Sequence, residues 1–183
     1  MNQAKILEYI VRIIIIFLIL PIHEFAHAWA AKKLGDDTAL YSGRLTLNPL
    51  AHIDPIGAIC LFITGFGWAK PVPVNPIRFK KSRKGMALTA LAGPVSNIIV
   101  AFIVLILYRF ILHTDMYNEA YVSSIINGSN TILVYNMFPI FVSINIGLAV
   151  FNLIPIPPLD GSKILSYFTS AKVDKFLYQY QQY

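Results

Sequence analysis

The amino-acid sequence predicts an α-helical integral membrane protein with three clear transmembrane helices, a short strand-like re-entrant region between the first two, and an interfacial helix at the carboxy terminus. Three observations carry this reading. Of the 183 residues, 56% are hydrophobic and only 13% charged, whereas an ordinary globular domain carries about 25% charged residues. Mean hydropathy is +0.61. The apolar residues also fall in long runs, and about 20 consecutive apolar residues suffice for a helix to cross hydrocarbon. The length suits one domain spanning residues 1–183, and no polar linker or internal repeat divides it.

The first helix is expected from about Ala4 to Leu34, stopped by Gly35-Asp36-Asp37. It has no small-residue cleavage site after a short apolar core, so it does not read as a removable signal peptide. Pro21 either kinks this helix or is an ordinary membrane-helix proline. From Tyr41 to Asn48 apolar or small residues alternate with polar ones, a period of two that argues a strand. Asn48-Pro49 and Asp54-Pro55 are turn signals. The apolar run Ile56 to Phe66 is too short to span, so it should dip in and return or form a short helix packed on protein. Prolines hold Ala69 to Pro76 extended.

Met86 to Leu112 is the second span, and its start, Leu91-Ala92-Gly93-Pro94-Val95-Ser96-Asn97, has small residues that allow close helix contact. His113 to Asn130 reads as a polar loop on the far side, with His113 interfacial and not a ligand. Thr131 to Leu153 is the third span. Ser162 to Tyr183 suits an amphipathic helix at the interface, its tyrosines at headgroup level.

The net charge of +6 does not point to nucleic acid. Its basic residues flank apolar segments, at Lys32-Lys33 and at Arg78, Lys80, Lys81, Arg83 and Lys84, where they mark the cytoplasmic side and meet anionic headgroups. Region 38–77 is then expected to enter and leave from the cytoplasm, with the amino terminus outside; Lys5 and Arg12 oppose this mildly. Cys60 is the only cysteine, which excludes an intrachain disulfide and Cys-based zinc sites.

Against this apolar background His23-Glu24-Phe25-Ala26-His27, an H-E-x-x-H motif inside the first span, stands out. Residues four apart share a helix face, so His23 and His27 can hold one metal ion while Glu24 reaches water beside it. Ionisable groups at membrane depth are functional candidates by default. A third ligand is offered by Asn152-Leu153-Ile154-Pro155-Ile156-Pro157-Pro158-Leu159-Asp160-Gly161. Its prolines break the helix, and such a break is tolerated only inside protein or at a cavity. Asp160 would sit on a turn permitted by Gly161, its charge compensated by a metal on the two histidines. Alternatively Asp160 caps a helix beginning at Ser162; the pairing with the histidines favours ligation. Two His and one carboxylate leave the open position of a catalytic zinc. Asn97 either touches substrate or braces the site, or is interhelical glue.

H-E-x-x-H in a first core span, with N-x-x-P-x-P-P-L-D-G closing a later one, resembles the site-2 protease family of intramembrane zinc metalloproteases. Gly43 to Pro49, His52 to Pro55 and Ala92-Gly93-Pro94 resemble its compact prokaryotic branch, and the match covers about residues 15–166. The resemblance implies one zinc ion (Zn2+) held by His23, His27 and Asp160, a catalytic Glu24, and a supporting or substrate-contacting Asn152, with Asn97 a further candidate. It implies an endopeptidase of the prokaryotic cell membrane that cuts transmembrane or membrane-associated proteins. A strand edge in 38–48 or 70–76 would grip the unwound substrate. A divalent metal transporter using the same His/His/Asp site is the alternative, and a non-catalytic metal-stabilised scaffold a second. Members of this branch continue into another membrane helix after L-D-G, so truncation at Tyr183 is expected.

Overall fold

The computed structural model describes residues 3–65, 67–127 and 132–170. Its helices are α1 (Gln3–Ile14), a π-helical turn (Ile15–Ile19), α2 (Leu20–Lys33), α3 (Thr38–Tyr41), α4 (Pro49–His52), α5 (Pro55–Thr64), a 3-10 turn (Pro76–Arg78), α6 (Ser82–Ile111), α7 (Asp115–Asn127), α8 (Ile132–Asn152) and α9 (Asp160–Phe168). Among the described residues, three stretches are long and apolar enough to cross a membrane: Tyr9–Lys33, Ser82–Ile111 and Tyr135–Asn152.

The first span departs from regular α-helix where its sequence demands. Pro21 has no N–H to offer the carbonyl four residues back, at Phe17, and the chain widens just before it. The Leu20 N–H reaches Ile15, five residues back, closing the π-helical turn. Pro21 therefore follows directly on a local widening of the helix, two residues ahead of His23.

The second span, α6, is central and packs against α2, α8 and α9. Its buried face is small: Ala87, Ala90, Gly93, Pro94, Asn97 and Ala101. Its exposed face is large and apolar: Ile98, Ile99, Phe102, Ile103 and Leu105. Water would reverse that arrangement. Lipid favours it, because apolar side chains gain nothing by leaving hydrocarbon, while small residues let helix backbones approach.

Between the first two spans the expected strand is absent. Thr38–Tyr41 forms a helical turn, and Gly43 at φ 67° ends it. The Gly43 N–H donates to the Leu40 carbonyl at 3.0 Å and the Arg44 N–H to that of Ala39 at 2.8 Å, a Schellman closure that needs the left-handed conformation glycine accepts. The alternation of Tyr41 to Asn48 thus reflects a helix stop followed by irregular chain. Asn48 and Asp54 act as helix N-caps, accepting from the amides of Leu50 at 3.1 Å and Gly57 at 2.9 Å, with proline next in each case.

The apolar run forms α5, and the chain returns extended over residues 67–75. Arg12 donates to the Phe62 carbonyl, satisfying one of the end-of-helix acceptors α5 leaves open, and Tyr9 stacks on Phe62 with ring centroids 5.1 Å apart. Pairing of the returning segment is confined to one antiparallel bridge between Ile53 and Ala69, with the Lys70 N–H donating to His52 at 2.8 Å. Buried Arg44 donates to the Lys70 carbonyl, and His52 Nε2 lies 2.7 Å from the Thr46 carbonyl. Side chains take the place of a sheet here.

Two further expectations change. The far-side loop is largely helix α7, in which Tyr117 and Tyr121, one turn apart, stack at 6.5 Å while Tyr117 meets Tyr135 of α8 edge-on at 5.4 Å. Aromatic contacts at helical spacing outweigh its polar composition. In the carboxy-terminal segment, α9 starts two residues earlier than expected, and Asp160, Gly161 and Ser162 of its first turn are buried. The rest of the expected interfacial helix lies outside the described residues.

Asp36, fully buried, ties the end of the first span to the returning segment. Its carboxylate accepts from the Thr38 amide at 3.0 Å, the Thr38 hydroxyl and the Asn75 amide at 2.6 Å, and Arg78 lies 4.0 Å away. Burial by itself raises this carboxyl, but the Thr38 and Asn75 donors and Arg78 hold it below the usual range. Because the folded value is the lower one, the linkage stabilises the fold above the ordinary carboxylate range and is lost as pH falls through that lowered value. Acid titration of unfolding in detergent is expected to lose this contribution below about pH 4, and Asp36→Asn to be less stable at neutral pH with a flatter acid limb.

Candidate metal centre

His23 and His27 lie on successive turns of α2, and the proline-rich break after α8 brings Asp160 to them. Their side chains are buried. The two histidine Nε2 atoms are 3.0 Å apart, and Asp160 Oδ2 lies 3.3 Å from that of His23 and 3.1 Å from that of His27. Asp160 makes no side-chain capping bond, since Leu159 holds the N-cap position. Gly161 is helical, without the positive φ a turn would use. Its role is spatial: a Cβ there would lie 2.2 Å from the Leu153 carbonyl oxygen.

The donor set fits zinc on its own geometry. His27 Nδ1 sits 2.7 Å from the Thr89 carbonyl, which can only accept, so Nδ1 carries a proton and Nε2, turned towards Asp160 and His23, is the nitrogen available to a metal. Ligands placed about 2.0–2.1 Å from a tetrahedral zinc stand about 3.3 Å from one another, close to the three separations found here. A buried carboxylate calls for a compensating positive charge, which a metal ion on these nitrogens would supply.

The site opens into a cavity of about 590 Å3. The first span contributes Leu20, His23, Glu24 and His27; α6 contributes Met86, Thr89, Ala90 and Asn97; α8 contributes Leu148, Phe151 and Asn152. The returning segment, with Trp68, Pro71, Val72 and Val74, forms another wall. Glu24 is half-buried and outside the ligand group. Asn97, 1% exposed, has neither amide atom paired, whereas Asn152 spends its N–H on the Leu148 carbonyl at 3.0 Å. All six residues singled out in the sequence therefore border one cavity. His113, at the end of α6, borders a separate groove.

Three contributors were not singled out. The Thr89 carbonyl is main chain and leaves no side-chain signature. Lys163, one turn after Asp160, lies 3.3 Å from Asp160 Oδ1; its i,i+3 spacing was the available signal. Gly93 was read as a close-packing residue and as part of the family resemblance, without a role at the centre, yet a Cβ there would fall 2.4 Å from His27 Nε2 and 2.6 Å from His23 Cε1.

Among the described residues, three helices long and apolar enough to cross a membrane surround two histidines and an aspartate that could hold a metal ion, beside a glutamate. The sequence profile of Peptidase family M50 matches residues 11–183, and the chain belongs to that family, the family of site-2 proteases. Similar proteins include the Bacillus subtilis "Putative zinc metalloprotease YwhC", 46% identical over 84% of this chain and 66% of the relative. Rip2 of Mycolicibacterium smegmatis, named in the same terms, is 29% identical over 78% of this chain and 51% of its own. A Methanocaldococcus jannaschii protein so named is 28% identical over 89% of this chain and 73% of its own. The chain thus spans slightly under two thirds of the first relative and about half of the second. No solved structure matches it.

Gly93→Ala tests the packing of the centre. In an ordinary helix that exchange is stabilising by up to about 1 kcal/mol. Here the added methyl is expected to displace both imidazoles and lower zinc affinity about tenfold or more, read by chelator competition, while the helical circular dichroism stays unchanged.

Proposed function

We propose that this chain is a zinc-dependent intramembrane endopeptidase that hydrolyses peptide bonds of transmembrane or membrane-associated proteins with water as nucleophile. The observation carrying the reading is that Glu24, in the same helical turn as the paired histidines and excluded from their ligand group, lines the cavity they face. Membership of Peptidase family M50 supports it.

His23, His27 and Asp160 would hold the ion, which when bound supplies a Lewis acid that polarises a carbonyl and makes water nucleophilic near neutral pH. Glu24 takes the proton of the attacking water and returns it to the leaving amine. Asn97 borders the cavity with both amide atoms buried and unpaired and braces the site from α6; Asn152 supports the peptide through its free side-chain oxygen. The substrate must be unwound there, because a helix hides its carbonyls in hydrogen bonds. Residues 70–76 are the edge available to hold such a strand, since the amides of Val72 and Val74 have no backbone partner among the described residues.

The chain is placed in the cell membrane as a multi-pass protein with the site opening towards the cytoplasm. In support, Asp36 just after α2 and Arg78 just before α6 lie 4.0 Å apart, so Lys32-Lys33 and the basic run at 78–84 share one end of the molecule, the end that positive charge assigns to the cytoplasm.

The test is metal content and cleavage of a membrane-protein substrate, measured together. Glu24→Gln is expected to keep its zinc and lose cleavage by about 100- to 10,000-fold. Equal function of wild type and variant in metal uptake into vesicles, with no cleavage by either, would favour a transporter instead.

A further inference from the structure

The two oxygens of Asp160 have different neighbours. Oδ2 faces the histidines at 3.1–3.3 Å, whereas Oδ1 lies 3.3 Å from the ammonium of Lys163. Both residues belong to the first turns of α9 and border the cavity. Among the described residues lining it, Lys163 is the only lysine or arginine. An i,i+3 ion pair on an exposed helix contributes only a few tenths of a kcal/mol. This pair differs, because the Asp160 side chain is 8% exposed while that of Lys163 is 39% exposed. The lysine reaches inward from the cavity mouth to an oxygen that faces away from the histidines.

A carboxylate can ligate a metal through one oxygen or both. With both engaged beside two histidines and a water, the resting centre is five-coordinate, and the fifth position that a catalytic zinc reserves for the transition state is already filled. Groups hydrogen-bonded to a ligand fix its orientation and tune the centre. We propose that Lys163 is a positioning residue: it holds Asp160 Oδ1 away from the ion, limits the carboxylate to one-oxygen ligation and so keeps the resting centre four-coordinate, with a position left for the substrate carbonyl. The inference rests on the metal reading of the site given above.

The test uses the full chain in detergent, loaded with cobalt(II) in place of zinc and read by visible absorption, which is intense for four-coordinate cobalt and weaker for five-coordinate. Lys163→Met is expected to bind cobalt but with weaker visible bands, and its zinc form to lose cleavage about 10- to 100-fold. Lys163→Arg, which retains a donor for Oδ1, should restore the wild-type spectrum. Lys163→Leu provides the same comparison should the methionine variant lose its helical circular dichroism. A wild-type spectrum in the uncharged variants would overturn the inference even if cleavage fell, since Lys163 would then act on the substrate. Failure of the wild-type chain to take up cobalt or zinc would overturn the metal reading itself, and this inference with it.

Discussion

Two imidazole nitrogens and a carboxylate oxygen meet within 3.3 Å in a buried pocket, and the rest of the architecture serves that convergence. An ionised carboxylate in such a low-dielectric space needs a compensating positive charge. Holding the three groups there requires three backbones to come close. The small face of α6 admits α2, the Gly93 position leaves room for both rings, and the Thr89 carbonyl fixes the tautomer of His27. Any side chain larger than hydrogen at residue 93 would occupy the space the histidines need.

The second requirement is for irregular chain beside the site, because both a cavity and a carboxylate must be brought to α2 without leaving polar backbone in lipid. The protein meets it in two places. After α8 the prolines end one helix and start another within eight residues, and Asp160 emerges in the buried first turn of α9. Before α6, capped short helices and an extended return stand in for a sheet, their carbonyls satisfied by Arg12 and Arg44 and their ends tied by Asp36. Charged side chains here satisfy backbone groups that irregular chain would otherwise leave unpaired.

The cavity wall mixes polar and apolar groups. His23, Glu24, Asp160 and Asn97 border it together with Trp68, Val72, Val74 and Phe151. That mixture would suit the substrate proposed above, a peptide carrying apolar side chains whose backbone alone needs polar partners. It also separates two kinds of residue at the centre: those that would touch the ion or the peptide, and those such as Lys163 and Gly93 that govern how the first group stands.

Much of this was legible in one dimension. The spans follow from hydropathy because lipid leaves the chain few alternatives to a helix, and the H-E-x-x-H pair was legible because a helix has a fixed pitch that places residues 23 and 27 on one face. Asp160 could be matched to them because a charge after a proline break at membrane depth needs a partner. The alternation of residues 41–48 misled, since a period of two is local, whereas Gly43 ends a helical turn through bonds to Ala39 and Leu40. The helix α7 was hidden because its support comes from α8, outside its own segment. The separation of the two Asp160 oxygens, the carbonyl that orients His27 and the space left by Gly93 exist only once α2, α6 and α9 are packed. Local chemistry therefore names the ligands, and helix packing decides the distances and protonation states with which they meet.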